Sequence, residues 1–194
     1  DPMLPDDPNS KVNACVDNIY RIWEEHADTK AAQLVFSDLS TPKNDGTFNV
    51  YDDMREKLIR HGIPAEQVRF IHEASTDAQK KELFAKVRSG EVRVLFGSTP
   101  KMGAGTNVQD RLIAIHNCDC PWRPSDLEQR LGRLERQGNM FPEVEVYRYG
   151  TEQTFDAYLF QLVEGKQKFI SQIMTSKSPV RSAEDVDEVA LSFA

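Results

Sequence analysis

The sequence predicts an α/β domain built on a mainly parallel sheet. Helical apolar periodicity alternates with short apolar runs bounded by turn residues, which is the pattern of βαβ units. The length of 194 residues suits one sizeable domain. Hydrophobic residues make up 39% and charged residues 28%, so a packed core is expected rather than disorder.

Each element has its own signal. Val12, Cys15, Val16, Ile19, Ile22 and Trp23 recur at helical spacing and predict a helix over 11–27. The run 32–37 (AQLVFS) reads as a buried strand. A polar loop containing Pro42 comes next, then a helix over about 48–61 that Gly62 ends. Val68 to Ile71 is a short strand. Thr76 and Gln79 form a capping box for a helix through Val87. Val92 to Phe96 is the next strand, and a glycine-containing loop runs from Gly97 to Asn107. Leu112 to Ile115 is a further strand, and Ser125 with Glu128 caps an arginine-bearing helix. Val144 to Tyr149 is the last strand. A long helix over 153–174 carries Phe155, Tyr158, Leu159, Leu162, Phe169, Ile170 and Ile173 on one stripe.

Composition excludes several classes of function. No apolar run approaches the roughly 20 residues of a membrane helix. The opening DPMLPDDPNS is acidic and proline-rich, unlike a secretory leader. The net charge of −7 argues against nucleic-acid binding by overall charge alone, and leaves room for a local basic patch. The three cysteines, Cys15, Cys118 and Cys120, supply neither a disulfide framework nor a zinc cluster, and read as reduced thiols of a cytoplasmic protein.

Three segments carry chemistry. In 129–138 (QRLGRLERQG), Arg133 and Arg136 are three apart on one helix face, with Gln129 one turn earlier. Two guanidiniums and an amide form a fork suited to phosphate oxygens. Pairing with Glu128 and Glu135 on a solvated face is the plainer alternative. Gly132 inside a helix costs about 1 kcal/mol relative to Ala, which close approach of a ligand would justify. The second segment, 98–107 (STPKMGAGTN), lies directly after an apolar strand, and such loops are where parallel sheets bind ligands. Gly103 and Gly105 allow close backbone approach, and Ser98, Thr99 and Lys101 offer donors. The third glycine of a dinucleotide fingerprint is absent. The third segment, 37–41 (SDLST), places hydroxyls at a strand end, where they serve as phosphate contacts or as ordinary turn formers. Trp122, at a strand-to-helix junction, has two readings, an aromatic that stacks on a base or adenine and a buried aromatic anchoring the Pro124 turn, and the second is the expectation.

Taken in order, Ser98-Thr99, Gly103 to Asn107, Trp122-Arg123-Pro124 and Gln129…Arg133…Arg136…Gly138 resemble consecutive motifs of superfamily-two helicases. The register is closest to Swi/Snf-type DNA translocases. The stretch 146–154 leading into a long helix is similar to the segment after the arginine motif in that family, and 33–37 resembles the strand that opens its second lobe. The resemblance covers residues 31 to about 174. It implies the second, RecA-like lobe of a two-lobed motor, a three-layer α/β/α fold with a long C-terminal helix. It also implies ATP between the lobes and DNA across both. Arg133 and Arg136 match the arginine fingers. Gln129, Gly103, Gly105 and Asn107 fall near the nucleotide, and Ser37, Thr76, Thr99 and Lys101 toward the nucleic-acid track. Glu73 stands where helicases often carry glycine. These 194 residues contain no G-x-x-x-x-G-K-[ST]. In this family that loop and the carboxylates that hold Mg2+ belong to the first lobe. The implied division is a lead-in and helix (1–30), the motor lobe (31–174) and an acidic linker or docking tail (175–194). A non-catalytic helicase-derived docking module is the alternative, with an unrelated phosphate-binding α/β domain behind it.

Overall fold

The structure, a computed structural model, describes residues 6–43, 46–102, 107–132, 138–152 and 154–175. The elements run α1 (Lys11–Glu25), β1 (Ala32–Phe36), α2 (Val50–His61), β2 (Val68–Phe70), α3 (Asp77–Ser89), β3 (Val94–Gly97), β4 (Leu112–Asn117), α4 (Pro124–Leu131), β5 (Glu145–Arg148) and α5 (Phe155–Thr175). The five strands form one parallel sheet in the order β2-β3-β1-β4-β5.

Strand alternation sorts the core onto two faces. Val35, Val94 and Phe96 pack with Cys15, Val16 and Ile19 of α1 and Tyr51, Met54 and Leu58 of α2. Leu34, Phe36 and Leu95 turn the other way, onto Leu83, Phe84 and Val87 of α3. Burial on both faces is why the central strand β1 reads as a continuous apolar run. Its one polar residue, Gln33, is fully buried, and both polar atoms of its amide have a partner. Its Nε2 donates to the Ile19 carbonyl at 2.9 Å, and its Oε1 meets His116 Nε2 at 2.8 Å. Left unpaired, such an amide would cost about 1–3 kcal/mol. A smaller cluster of Cys120, Leu127, Leu159, Phe160 and Val163 seats α4 and α5.

The expected caps on α2 and α3 form. Gly62 ends α2 at φ +115°, a conformation natural only to glycine. Thr76 Oγ1 accepts from Gln79 N–H at 3.2 Å, and Gln79 Oε1 accepts from Thr76 N–H at 3.1 Å and Ser75 N–H at 2.9 Å. Two expectations shift. β3 starts at Val94, because Val92 N–H donates to the Lys86 carbonyl of α3. Arg93 caps α1, its Nη2 donating to Trp23 O at 2.7 Å and His26 O at 3.0 Å. Burial lowers this guanidinium's pKa to about 10. α4 begins at Pro124 rather than after a Ser125 cap. Proline at the first helical position needs no N–H partner, so no side-chain cap is required.

Candidate functional site

The carboxyl edge of the sheet is where a parallel α/β fold places its ligands. Phe36 pairs with Gly97 and with Asn117, so β1, β3 and β4 end on matched rungs. Two residues beyond each end stand Asp38, Thr99 and Asp119. Arg130 of α4 reaches back among them with its side chain fully buried. Nε donates to Thr99 Oγ1 at 2.8 Å. Nη1 donates to Asn117 Oδ1 at 3.0 Å and to the Asp119 carbonyl at 2.9 Å. Nη2 donates to Asp38 Oδ2 at 2.8 Å and to Asp119 Oδ1 at 3.1 Å. All five guanidinium donors are thereby used. The plane of charge also lies over the Phe36 ring, 5.1 Å from its centroid.

The carboxylates extend the network into the loops. Asp119 Oδ2 accepts from Asp38 N–H at 2.5 Å, Leu39 N–H at 3.0 Å and Ser37 Oγ at 3.1 Å. Asp38 accepts from Thr99 N–H at 2.6 Å and from Thr99 Oγ1 at 2.8 Å. Tyr51 Oη donates to the Ser37 carbonyl, and burial with the nearby Asp119 and Asp38 charges pushes this phenol far above its ordinary value. A buried charge that keeps every donor partnered defines one loop geometry and disfavours others. The arrangement does not react, since arginine does not give up its proton. It holds three loops and the start of the arginine segment as one unit.

Ser37 and Thr99 are therefore brought together, and both hydroxyls are buried and turned inward. Lys101 is exposed at the tip of a turn closed by Met102 N–H to Ser98 O at 2.9 Å. The Met102 side chain is buried where a Cβ on Gly97 would stand. Thr76 is exposed at the start of α3, and its capping box occupies the Ser75 and Thr76 amides. Gln129 is exposed on α4 beside Arg130, and Asn107 is exposed with its carbonyl taken by Arg88 at 2.6 Å. Glu73 is paired with Arg55 at 2.8 Å and Arg69 at 2.5 Å. Gly103, Gly105, Arg133 and Arg136 lie outside the described residues. α4 ends at Leu131 with Gly132 as its C-cap at φ −60°, so Gly132 is not in the interior of that helix as expected. Trp122 overturns a second expectation: it is 66% exposed and touches Phe155, ring centroids 5.9 Å apart. The buried residues flanking it are Cys120 and Leu127, which pack with Leu159, Phe160 and Val163.

Arg130, Asp38 and Asp119 are the residues that reading the sequence missed. The available signal was positional. Arg130 lies three residues after the core residue Leu127, and the two aspartates share one offset from their strand ends.

A parallel five-stranded sheet with helices on both faces is consistent with a RecA-like α/β fold. Residues 11–138 match the helicase conserved C-terminal domain, and the chain belongs to that family. An uncharacterized ATP-dependent helicase, YqhH of Bacillus subtilis, is 32% identical over 95 residues, 49% of this chain and 16% of the relative. The C-terminal part of the Fun30 ATPase domain superposes with a TM-score of 0.60 at 19% identity, covering 82% of this chain and 48% of that one. Domain 2 of the DEAD-box helicase Mss116p, bound to an RNA duplex, gives 0.60 at 15% identity, covering 81% and 55%. At such identities the two structures speak for the fold. The chain spans under a fifth of the curated relative and about half of each solved chain.

Proposed function

We propose that the chain is the second motor lobe of an ATP-dependent DNA helicase or translocase. The observation that carries this reading is Arg130, which anchors α4 to the loops after β1, β3 and β4 directly before the arginine segment. ATP, when bound on a first lobe with its Mg2+, supplies a phosphoryl group for transfer to water. Arg133 and Arg136 meet the negative charge that develops there, in keeping with their permanent charge. Gln129, exposed at this edge, and Gly103 and Gly105 line the nucleotide side. Asn107 is assigned there by its motif, although its carbonyl is held by Arg88 at the end of α3, toward the amino edge of the sheet. Lys101 and Thr76 face the nucleic-acid backbone, with Ser37 and Thr99 setting the loop that presents Lys101. Lobe closure brings the arginines in, and lobe opening withdraws them as the strand advances. DNA, as duplex, is favoured by the Swi/Snf-like register of the motifs, and the cytoplasm by the reduced thiols. The lead-in, motor lobe and tail divisions at residues 30 and 174 belong to the same proposal.

One observation favours a second reading. The inward commitment of Ser37 and Thr99 removes two hydroxyls from the nucleic-acid surface, as a non-catalytic docking module would tolerate. ATP hydrolysis by the two-lobed parent, with and without duplex DNA, separates the two. On the motor reading DNA stimulates turnover, Arg136→Ala lowers it about 10³-fold or more while nucleotide still binds, and the isolated 194-residue chain turns over negligibly. A parent that DNA does not stimulate leaves the docking module or an RNA motor, and RNA is the next substrate to offer.

A further inference from the structure

Two thiols unused by the motor chemistry meet in the core. Cys15 Sγ on α1 and Cys118 Sγ, one residue past β4, stand 3.6 Å apart across 103 residues of sequence. Both are buried, and both sit on fixed backbone. Cys15 lies inside a regular helix, and Cys118 N–H donates to the Phe36 carbonyl of β1 at 3.0 Å. A disulfide needs about 2.05 Å between sulfurs, so each has to move by only roughly 0.8 Å. Cys120, the nearer neighbour in sequence, belongs to a different cluster and donates to the Pro121 carbonyl at 3.5 Å.

We propose that Cys15 and Cys118 form an oxidation site, closing to an intramolecular disulfide with a small-molecule disulfide as electron acceptor. Cys118, 7% exposed against 0% for Cys15, is the first to react. Its thiolate attacks the small disulfide and releases one thiol. The Cys15 thiolate then displaces the second, so the pair loses two protons and two electrons and the oxidant leaves as two thiols. Burial pushes the Cys15 thiol well up, so closure is slow in the resting fold and proceeds through openings of α1. The bond ties α1 to the strand end that carries Asn117 and Asp119, both partners of Arg130. The site is independent of the motor reading.

The test exposes the full chain to oxidised glutathione, both folded and during refolding from the reduced, unfolded state. The expected product is lighter by two hydrogen atoms, keeps one free thiol, and yields a Cys15–Cys118 peptide on mapping. Its thermal midpoint rises by roughly 5–15 °C and falls back on reduction. Cys120→Ala oxidises as before, and Cys15→Ala does not close. Mapping of the unsubstituted protein decides the matter if either variant fails to fold. Three free thiols after both treatments, a stable glutathione adduct, or a Cys118–Cys120 bond overturns the proposal.

Discussion

β1 and β4 carry two buried polar centres that differ in charge. At their carboxyl ends Arg130 is held by Asp38 and Asp119, an ionised cluster. Deeper in the sheet, His116 joins Gln33 Oε1 and Tyr149 Oη, each at 2.8 Å, and burial holds the imidazole neutral, down at about 3, with the Arg21 charge adding to the effect. The neutral centre seats a helix, since Gln33 in turn donates to α1. The charged centre sets loops, whose backbone would otherwise have many conformations. A buried ion pair gains little net stability over an apolar replacement, so its value lies in defining one arrangement. That value is placed where ligands are expected.

Removing the guanidinium is the strongest way to break this contrast. Arg130→Ala leaves Asp119 buried without its counter-charge, and unfolding in urea is expected to show a loss of about 3–5 kcal/mol. Arg130→Lys keeps the charge but not the five-donor fork, and should recover only part of that loss. A loss under about 1 kcal/mol for the alanine variant would mean that the loops do not depend on the cluster.

The neutral centre predicts a pH effect of known sign. His116 has its folded pKa depressed below the ordinary value of 6.5, so its contribution is complete above that value. As pH falls from 6.5 toward 3, the unfolded chain takes up a proton that the folded chain refuses. Between neutral pH and pH ~4.5 the loss from this group is roughly 2–3 kcal/mol. Urea midpoints measured across that range should fall less steeply for His116→Gln than for the unsubstituted protein. Equal slopes would show that the imidazole is charged in both states.

The same contrast explains what was legible in the sequence. The local signals hold: the apolar run of β1, the Gly62 stop and the Thr76–Gln79 box all involve residues within a few positions of one another. The parallel sheet was legible from alternation. Arg130 was not found, because an arginine on a short helix reads as solvated until three distant loops are brought to one rung. Trp122 failed for the opposite reason: large aromatics are usually buried, yet the core contact between α4 and α5 is made by Leu127 with Leu159, Phe160 and Val163, and Trp122 stays 66% exposed. Non-local register decides both cases, and no single window of sequence contains it.

The smallest expected effect concerns an exposed polar centre, which lacks the burial that both others share. Gln79 Oε1 occupies the Ser75 and Thr76 amides at the start of α3, the donors an incoming phosphate would need. Gln79→Ala should cost only about 0.5–1 kcal/mol, because water replaces the lost acceptor at an exposed cap. It also frees both amides while leaving Thr76 Oγ1 in place. If Thr76 contacts the nucleic-acid backbone, Gln79→Ala in the parent binds duplex DNA as tightly as the unsubstituted protein or more so, and Thr76→Ala binds more weakly with an unchanged salt dependence, because a neutral hydroxyl releases no counterion. Equal weakening by both variants would instead mean that the capped helix end, and not an open phosphate seat, is what the nucleic acid requires. Retained binding in both would remove Thr76 from the nucleic-acid track and leave that face to Lys101.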